Sequence, residues 1–409
     1  MHLTIFYLII AIIVFDFLFS RFLEYLNAKN LSPELPETLK DIYDAEKYRQ
    51  SIEYKKVNSR FELLTSSFSF VLVLLMFVFN GFAWVDAFAR SFSSNPIIIA
   101  LIFFGLLILV SDVLNTPFDI YDTFVIEQKF GFNKTTPKTY ILDKLKGWLL
   151  GAILGGGMLA LIIWFYTLTS EWVWLYAWIA VSSFSIFMAM FYSNLIVPLF
   201  NKQTPLEEGE LRAGIQAFSE KAGFKLKNIF VIDGSKRSTK ANAYFTGLGS
   251  KKRIVLFDTL INDLTQTEVV AVLAHEVGHY KKKHTLSGLI MGIAQTGIIL
   301  YIFSLFAGSE SLALALGASQ SGFHLSLIAF GILYSPISTI VGMGMNVLSR
   351  KNEYQADQFA KEYFDGNELI SALKKLSVKN LSNLTPHPWY VFFHYSHPTL
   401  LQRMEKLKG

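Results

Sequence analysis

Two histidines four residues apart, with a glutamate beside the first, stand out in this chain: His275-Glu276-Val277-Gly278-His279. On a helix, residues at i and i+4 share a face. Both imidazoles can therefore turn a nitrogen toward one metal ion, and Glu276 lies where it can take a proton from a water that the metal acidifies. H-E-x-x-H is the zinc pattern of many metallopeptidases. A catalytic zinc takes three protein ligands and keeps one position open, so a third ligand is needed from another element. The stretch Asn352-Glu353-Tyr354-Gln355-Ala356-Asp357 offers it. Glu353 and Asp357 are again four apart, which assigns Glu353 as the third ligand. Asp357 then accepts the outward ring N–H of a ligand histidine, fixing its tautomer and raising its basicity. The expected cofactor is one Zn2+ per chain. His284, after Lys281-Lys282-Lys283 at a membrane boundary, reads as interfacial, and His2 and His324 carry no role.

The helix that must hold the first motif is announced by Thr265-Gln266-Thr267-Glu268, a capping box, and Val269, Val270 and Leu273 give it an apolar side. Upstream, Leu211 to Ala222 reads as an amphipathic helix, and Ile229 to Ile232 and Arg253 to Phe257 as short strands. Between those strands, Ala241 to Gly247 reads as a third, closed by Gly247 and Gly249.

These elements sit in a chain built for lipid. Of its 409 residues 52% are apolar and 17% charged, with mean hydropathy +0.38, whereas soluble domains carry about 25% charged residues. Apolar runs near or above the ~20 residues that cross a bilayer cover about 3–19, 63–82, 97–114, 148–168, 172–199, 285–307 and 323–348. The connecting segments 27–61, 116–147 and 200–284 and the tail after 349 are rich in Lys and Arg. Segments 83–96, 169–171 and 308–322 carry a single basic residue, Arg90. Basic segments are thus every second one, which places them and the C-terminus in the cytoplasm and requires an odd number of spans. The expected organisation is spans one to five in 1–199, a first part of a zinc protease domain in 200–284, spans six and seven in 285–348, and its second part in 349–409. The absence of cysteine excludes disulfides, Cys-ligated zinc and a thiol nucleophile. The net charge of +5, with no long basic run, excludes nucleic acid as a partner and leaves a peptide or protein substrate and the lipid bilayer.

The zinc helix, the Asn352–Asp357 stretch, Tyr395-Ser396-His397-Pro398 with Arg403, and Arg237-Ser238 leading to Asn242-Ala243-Tyr244 together resemble the type I CAAX prenyl endopeptidases, the seven-span zinc proteases of a-factor-converting type. The resemblance runs from Phe15-Asp16 to Arg403. It implies a mainly α fold, in which seven transmembrane helices form a barrel-like chamber with a split zincin-like domain, helices plus a small β-sheet, at its cytosolic end. It implies a substrate added as a strand along the edge holding Asn242 and Ala243, with His394 also on the substrate side. His397 and Arg403 would lie near the scissile carbonyl and hold its developing negative charge. The implied reaction removes the last three residues of a protein ending in a prenylated cysteine, sometimes with a second cut upstream. Two other readings stay open: a quality-control zinc protease that ignores prenylation, and a transporter or lipid-binding protein with vestigial zinc, against which the intact Glu276 argues. Short loops, the lack of cysteine and the ending Glu405-Lys406-Leu407-Lys408-Gly409 suggest a bacterial inner membrane, with the endoplasmic reticulum as the eukaryotic equivalent.

Overall fold

Helices α1 (His2–Lys29) and α2 (Ala45–Val78) are followed by a short α3 (Gly81–Phe92), then α4 (Pro96–Lys129), α5 (Pro137–Leu168) and α6 (Val173–Phe200). The first polar segment folds as β1 (Gln203–Pro205), α7 (Glu210–Lys221), β2 (Ile229–Ile232), β3 (Ala243–Thr246), β4 (Arg253–Phe257), α8 (Asp258–Asp263) and α9 (Gln266–Lys281). Then come α10 (His284–Ser304), α11 (Glu310–Ala315) and α12 (Phe323–Tyr363), and the chain ends in α13 (Gly366–Lys379), α14 (Pro388–His394) and α15 (Leu400–Lys408). The structure, a computed structural model, describes all residues of 1–409 except 33, 36, 38, 39, 42, 170, 225–227 and 248–252, so Gly249 lies outside the described residues.

Seven of these helices are long and apolar enough to cross a membrane: α1, α2, α4, α5, α6, α10 and α12. They close a ring in chain order. The helices from α4 to α12 each pack on the next, α12 packs on α1, and α1 on α2. Phe68 of α2 meets Phe118 of α4 with ring centroids 5.1 Å apart, completing the circuit. Between 6% and 22% of each span's most apolar window is buried, so the helices present most of their surface to lipid and to the ring's interior. At the end away from the polar segments, buried Asp86 takes a 2.6 Å contact from His324 Nε2 and both its oxygens are gripped by Arg90 Nε at 2.9 Å. A buried carboxylate requires such partners, and these pin α3 to the start of α12.

Each expected apolar run falls on one of these helices, although 63–82 passes the end of α2 at Val78 and 285–307 the end of α10 at Ser304; most of the helices are longer than their runs. The 41 residues of α12 reach about 60 Å at 1.5 Å per residue, twice the ~30 Å hydrocarbon core. The acidic stretch at Glu353 is therefore no separate helix: it rides on a rigid extension of the seventh span. The polar domain is built on a sheet of order β1-β2-β4-β3, with β2 parallel to β4 and the outer pairs antiparallel. Strand β1, three residues long, was not legible in the sequence pattern. Strand β3 is an edge. The capping box forms, Thr265 accepting from Glu268 N while the Glu268 carboxylate accepts from Thr265 N at 2.8 Å. Val269, Val270, Leu273 and Val277 of α9 are buried in one core with Leu256 of β4, Ile215 of α7 and Leu369 of α13. Burying an aliphatic side chain of this size contributes about 1.5–3 kcal/mol, so the motif helix is held from three sides.

Candidate metal centre

His275 and His279 face the same side of α9, as their spacing requires, and α12 crosses that side. The crossing is close because Gly278 has no side chain: a Cβ there would stand 3.0 Å from Ala356 Cα and 3.1 Å from Ala356 O. Ala356 lies between Glu353 and Asp357, so the tightest approach of the two helices is at the centre of the site.

One ligand atom each of His275, His279 and Glu353 falls in a group no wider than 4.8 Å. The two Nε2 atoms are 3.2 Å apart, and the Glu353 oxygens lie 3.1 Å from His279 Nε2 and 3.4 Å from His275 Nε2. Ligands ~2.05 Å from a tetrahedral zinc stand about 3.3 Å from one another, so this donor set fits zinc. Glu353 Oε2 is buried with no hydrogen-bond partner among the described residues, a cost that a cation would remove. Burial and the Arg403 guanidinium push the His275 imidazole down, but hydrogen bonds and charge from Asp357 and Glu353 outweigh them and hold it up at about 9. The surroundings of His275 thus favour positive charge at this point.

Both ligand imidazoles are held from behind. Asp357, 1% exposed, accepts from His275 Nδ1 at 2.8 Å, which leaves Nε2 free for a metal. Arg403, on α15, grips Asp357 through Nε at 2.9 Å and Nη2 at 2.5 Å, and its Nη1 is 3.7 Å from Glu353 Oε2. His284 does for His279 what Asp357 does for His275. Gln355 Oε1 accepts from His284 Nε2 at 2.9 Å, so His284 Nδ1 is an acceptor and takes the Nδ1–H of His279 at 3.1 Å. The chain of donors leaves His279 Nε2 with its lone pair toward the site. His284 opens the sixth span, where the interfacial reading puts it, and its contact with His279 adds to that reading. No spacing rule could find it, since i+5 is off the motif face; a left-handed turn at Lys283 (φ 60°) folds it back.

Glu276 is half-buried and makes no hydrogen bond or ion pair among the described residues. His397 also reaches the group, Nε2 3.3 Å from Glu353 Oε1, with 64% of its side chain exposed. Asn242 lies just before β3, its Oδ1 accepting from Ala243 N at 2.8 Å. Phe257 N donates to Asn242 O, so by alternation the backbone groups of Ala243 and Phe245 face the free edge. His394 lies against Tyr390 with ring centroids 4.6 Å apart and the planes tilted by 45°, and has no contact with the candidate metal ligands among the described residues.

Comparison with known proteins bears on this geometry. Residues 24–202 match the family model described as CAAX prenyl protease N-terminal, five membrane helices, and residues 205–409 match peptidase family M48. A CAAX prenyl protease 1 homolog of Dictyostelium discoideum is 35% identical over 416 residues, covering 98% of this chain and 96% of that protein. CAAX prenyl protease 1 of Saccharomyces cerevisiae is 33% identical over 420 residues, covering 96% and 92%. The crystal structure of S. mikatae Ste24p superposes with a TM-score of 0.94 at 33% identity, covering 99% of each chain.

Proposed function

The chain belongs to peptidase family M48, with the five-helix N-terminal region of the CAAX prenyl proteases, and from that premise we propose that it removes the C-terminal tripeptide from proteins or peptides ending in a prenylated cysteine, using one Zn2+ held by His275, His279 and Glu353. It is a multi-pass membrane metalloendopeptidase. The observation that carries the proposal is the fit of the two Nε2 atoms and the Glu353 carboxylate to a tetrahedral ion, in a domain whose sheet leaves β3 as an edge strand.

When bound, zinc supplies a Lewis acid and lowers the pKa of a coordinated water toward ~7. The chain does the rest. The substrate lies against β3, pairing with the outward carbonyl of Ala243 and the N–H and carbonyl of Phe245, while the Ala243 N–H stays with Asn242 Oδ1. Glu276, with no competing partner, takes the proton of the attacking water and returns it to the leaving amine. His397 Nε2, beside Glu353, donates to the carbonyl oxygen as charge develops there. Arg403 acts mainly through Asp357, which keeps His275 oriented, with Nη1 turned toward the site. The charge pattern puts this domain in the cytoplasm. The relatives named above are eukaryotic, so the bacterial inner membrane draws no support from them and the endoplasmic reticulum membrane is the reading carried forward.

The test uses purified protein with matched prenylated and unprenylated C-terminal peptides, with and without a zinc chelator. Chelator-sensitive release of a tripeptide from the prenylated form is expected. Equal cleavage of both would remove prenylation from the proposal, and cleavage that survives complete metal removal would remove zinc.

A further inference from the structure

We infer that Lys55 anchors the free C-terminal carboxylate of the substrate, so that the enzyme measures its tripeptide from the end of the chain. This rests on the C-terminal tripeptidase reading above. A cavity of about 270 Å3 has in its wall His397 and Arg403, which stand 3.3 and 3.7 Å from the Glu353 carboxylate, and Lys55, from the cytosolic end of α2. Leu373, Leu384 and Leu400 give it an apolar lining suited to aliphatic side chains. Three extended residues span about 10 Å, and a compact cavity of this size is roughly 8 Å across. A tripeptide whose scissile bond lies at the metal therefore reaches any part of this wall.

The cations on that wall differ in what they have left to give. Arg403 is buried and committed to Asp357. His397 stands at the Glu353 end, where the reacting carbonyl must sit. Lys55 is half-buried, yet Nζ has neither a hydrogen bond nor an ion pair among the described residues, and the contact it makes is a cation–π approach of 5.4 Å to the Tyr54 ring. Glu24 lines the adjoining cavity, which shares Lys55, but the two form no ion pair. A shielded ammonium with an unsatisfied donor set calls for an anion. The tail of an intact substrate is the anion that the proposed reaction brings into this cavity. A carboxylate held here also keeps the tail on the polar, cytosolic side, while the lipidated part of the substrate stays with the spanning helices.

The experiment compares two prenylated peptides that differ only at the C-terminus, free acid against primary amide, on metal-loaded full-length protein. Charge-assisted hydrogen bonds of this kind set an expected preference of about ten- to hundredfold in kcat/KM for the acid in wild type. In Lys55→Met the ratio falls toward one, mainly through KM for the acid, and in Lys55→Arg it is retained. Metal content per chain checks that each variant is folded at the site. Equal cleavage of acid and amide by wild type overturns the anchor while leaving the peptidase reading intact, and needs no variant. A Lys55→Met enzyme that still prefers the acid also overturns it. If wild type cuts neither peptide, the tripeptidase reading fails and the anchor falls with it.

Discussion

Gly278→Ala isolates what brings the third ligand into place. The added Cβ would meet Ala356 Cα at 3.0 Å, Ala356 O at 3.1 Å and Phe359 Cβ at 3.1 Å. Relaxed carbon–carbon contacts lie at about 3.5–4.0 Å. None of these three atoms is the end of a flexible side chain, so the strain cannot be relieved by a rotamer change. Helix α12 must give by about half an ångström, whereas ligand positions around a metal hold to about 0.2 Å. Overpacking costs about 1–3 kcal/mol, and alanine recovers roughly 1 kcal/mol of helix propensity over glycine. The stability of the metal-free protein should therefore fall by no more than about 2 kcal/mol. Metal affinity should fall at least tenfold, because disturbing even a residue that only orients a ligand loses about ten- to hundredfold. Zinc titration against a competing chelator, with unfolding followed in detergent with and without metal, separates the two effects. Gly331→Ala, on α12 with nothing near its added Cβ, is the control and should change neither. Wild-type zinc affinity in Gly278→Ala would refute the idea that this crossing sets the ligand geometry.

Glu276→Gln should keep zinc and lose hydrolysis by at least a hundredfold, while Glu353→Ala should lose the metal itself; metal analysis beside peptide cleavage tells them apart, and retained activity in metal-loaded Glu276→Gln would remove the general-base role. His284→Leu strips His279 of the acceptor that fixes its tautomer and should lower zinc affinity about tenfold, with His284→Asn, whose Oδ1 can still accept, recovering most of it; equal affinity in both variants would count against the relay. Glu268, 2% exposed, bonds Ser371 Oγ at 2.6 Å and Lys375 Nζ at 2.8 Å as well as its cap. Burial pushes its carboxyl up, but Lys375, Ser371 and the Thr265 N–H outweigh it and leave it below the ordinary value. A folded-state pKa below the unfolded one stabilises above the unfolded value and is lost as pH falls through the folded one. Glu268→Gln should therefore cost about 1–3 kcal/mol near neutrality, discounted because Lys375 is half exposed, and flatten the loss of stability below about pH 4.5. An unchanged acid limb in thermal unfolding would rule that carboxylate out as a contributor.

What the sequence made legible follows a physical division between local and distant constraints. The capping box at Thr265 was readable because both its hydrogen bonds close within four residues. His275 with His279, and Glu353 with Asp357, were readable because helical spacing alone decides which side chains share a face. Hydropathy found the spans but ended the last of them at Leu348, because it senses the edge of the hydrocarbon and not the end of the helix; Arg350 to Ala356 continues the same helix into the polar domain, where Glu353 and Ala356 are buried. Strand β1 was missed because three residues carry no period, and its pairing with β2 depends on a partner more than twenty residues away. The contact of His284 with His279 was not legible because a left-handed turn at a lysine has no sequence signature, although glycine there would have advertised one. Arg403 and Asp357 are 46 residues apart, and only the docking of α15 on α12 joins them. Gly278 lies across this division. It was visible as a letter of the motif, yet nothing within α9 requires it. The requirement comes from Ala356, which the chain reaches only after two further membrane crossings. The identities of the proposed metal ligands are thus a local property of two helices, while the distance between those helices is a property of the whole fold, which is why a single methyl group at Gly278 should separate metal binding from stability.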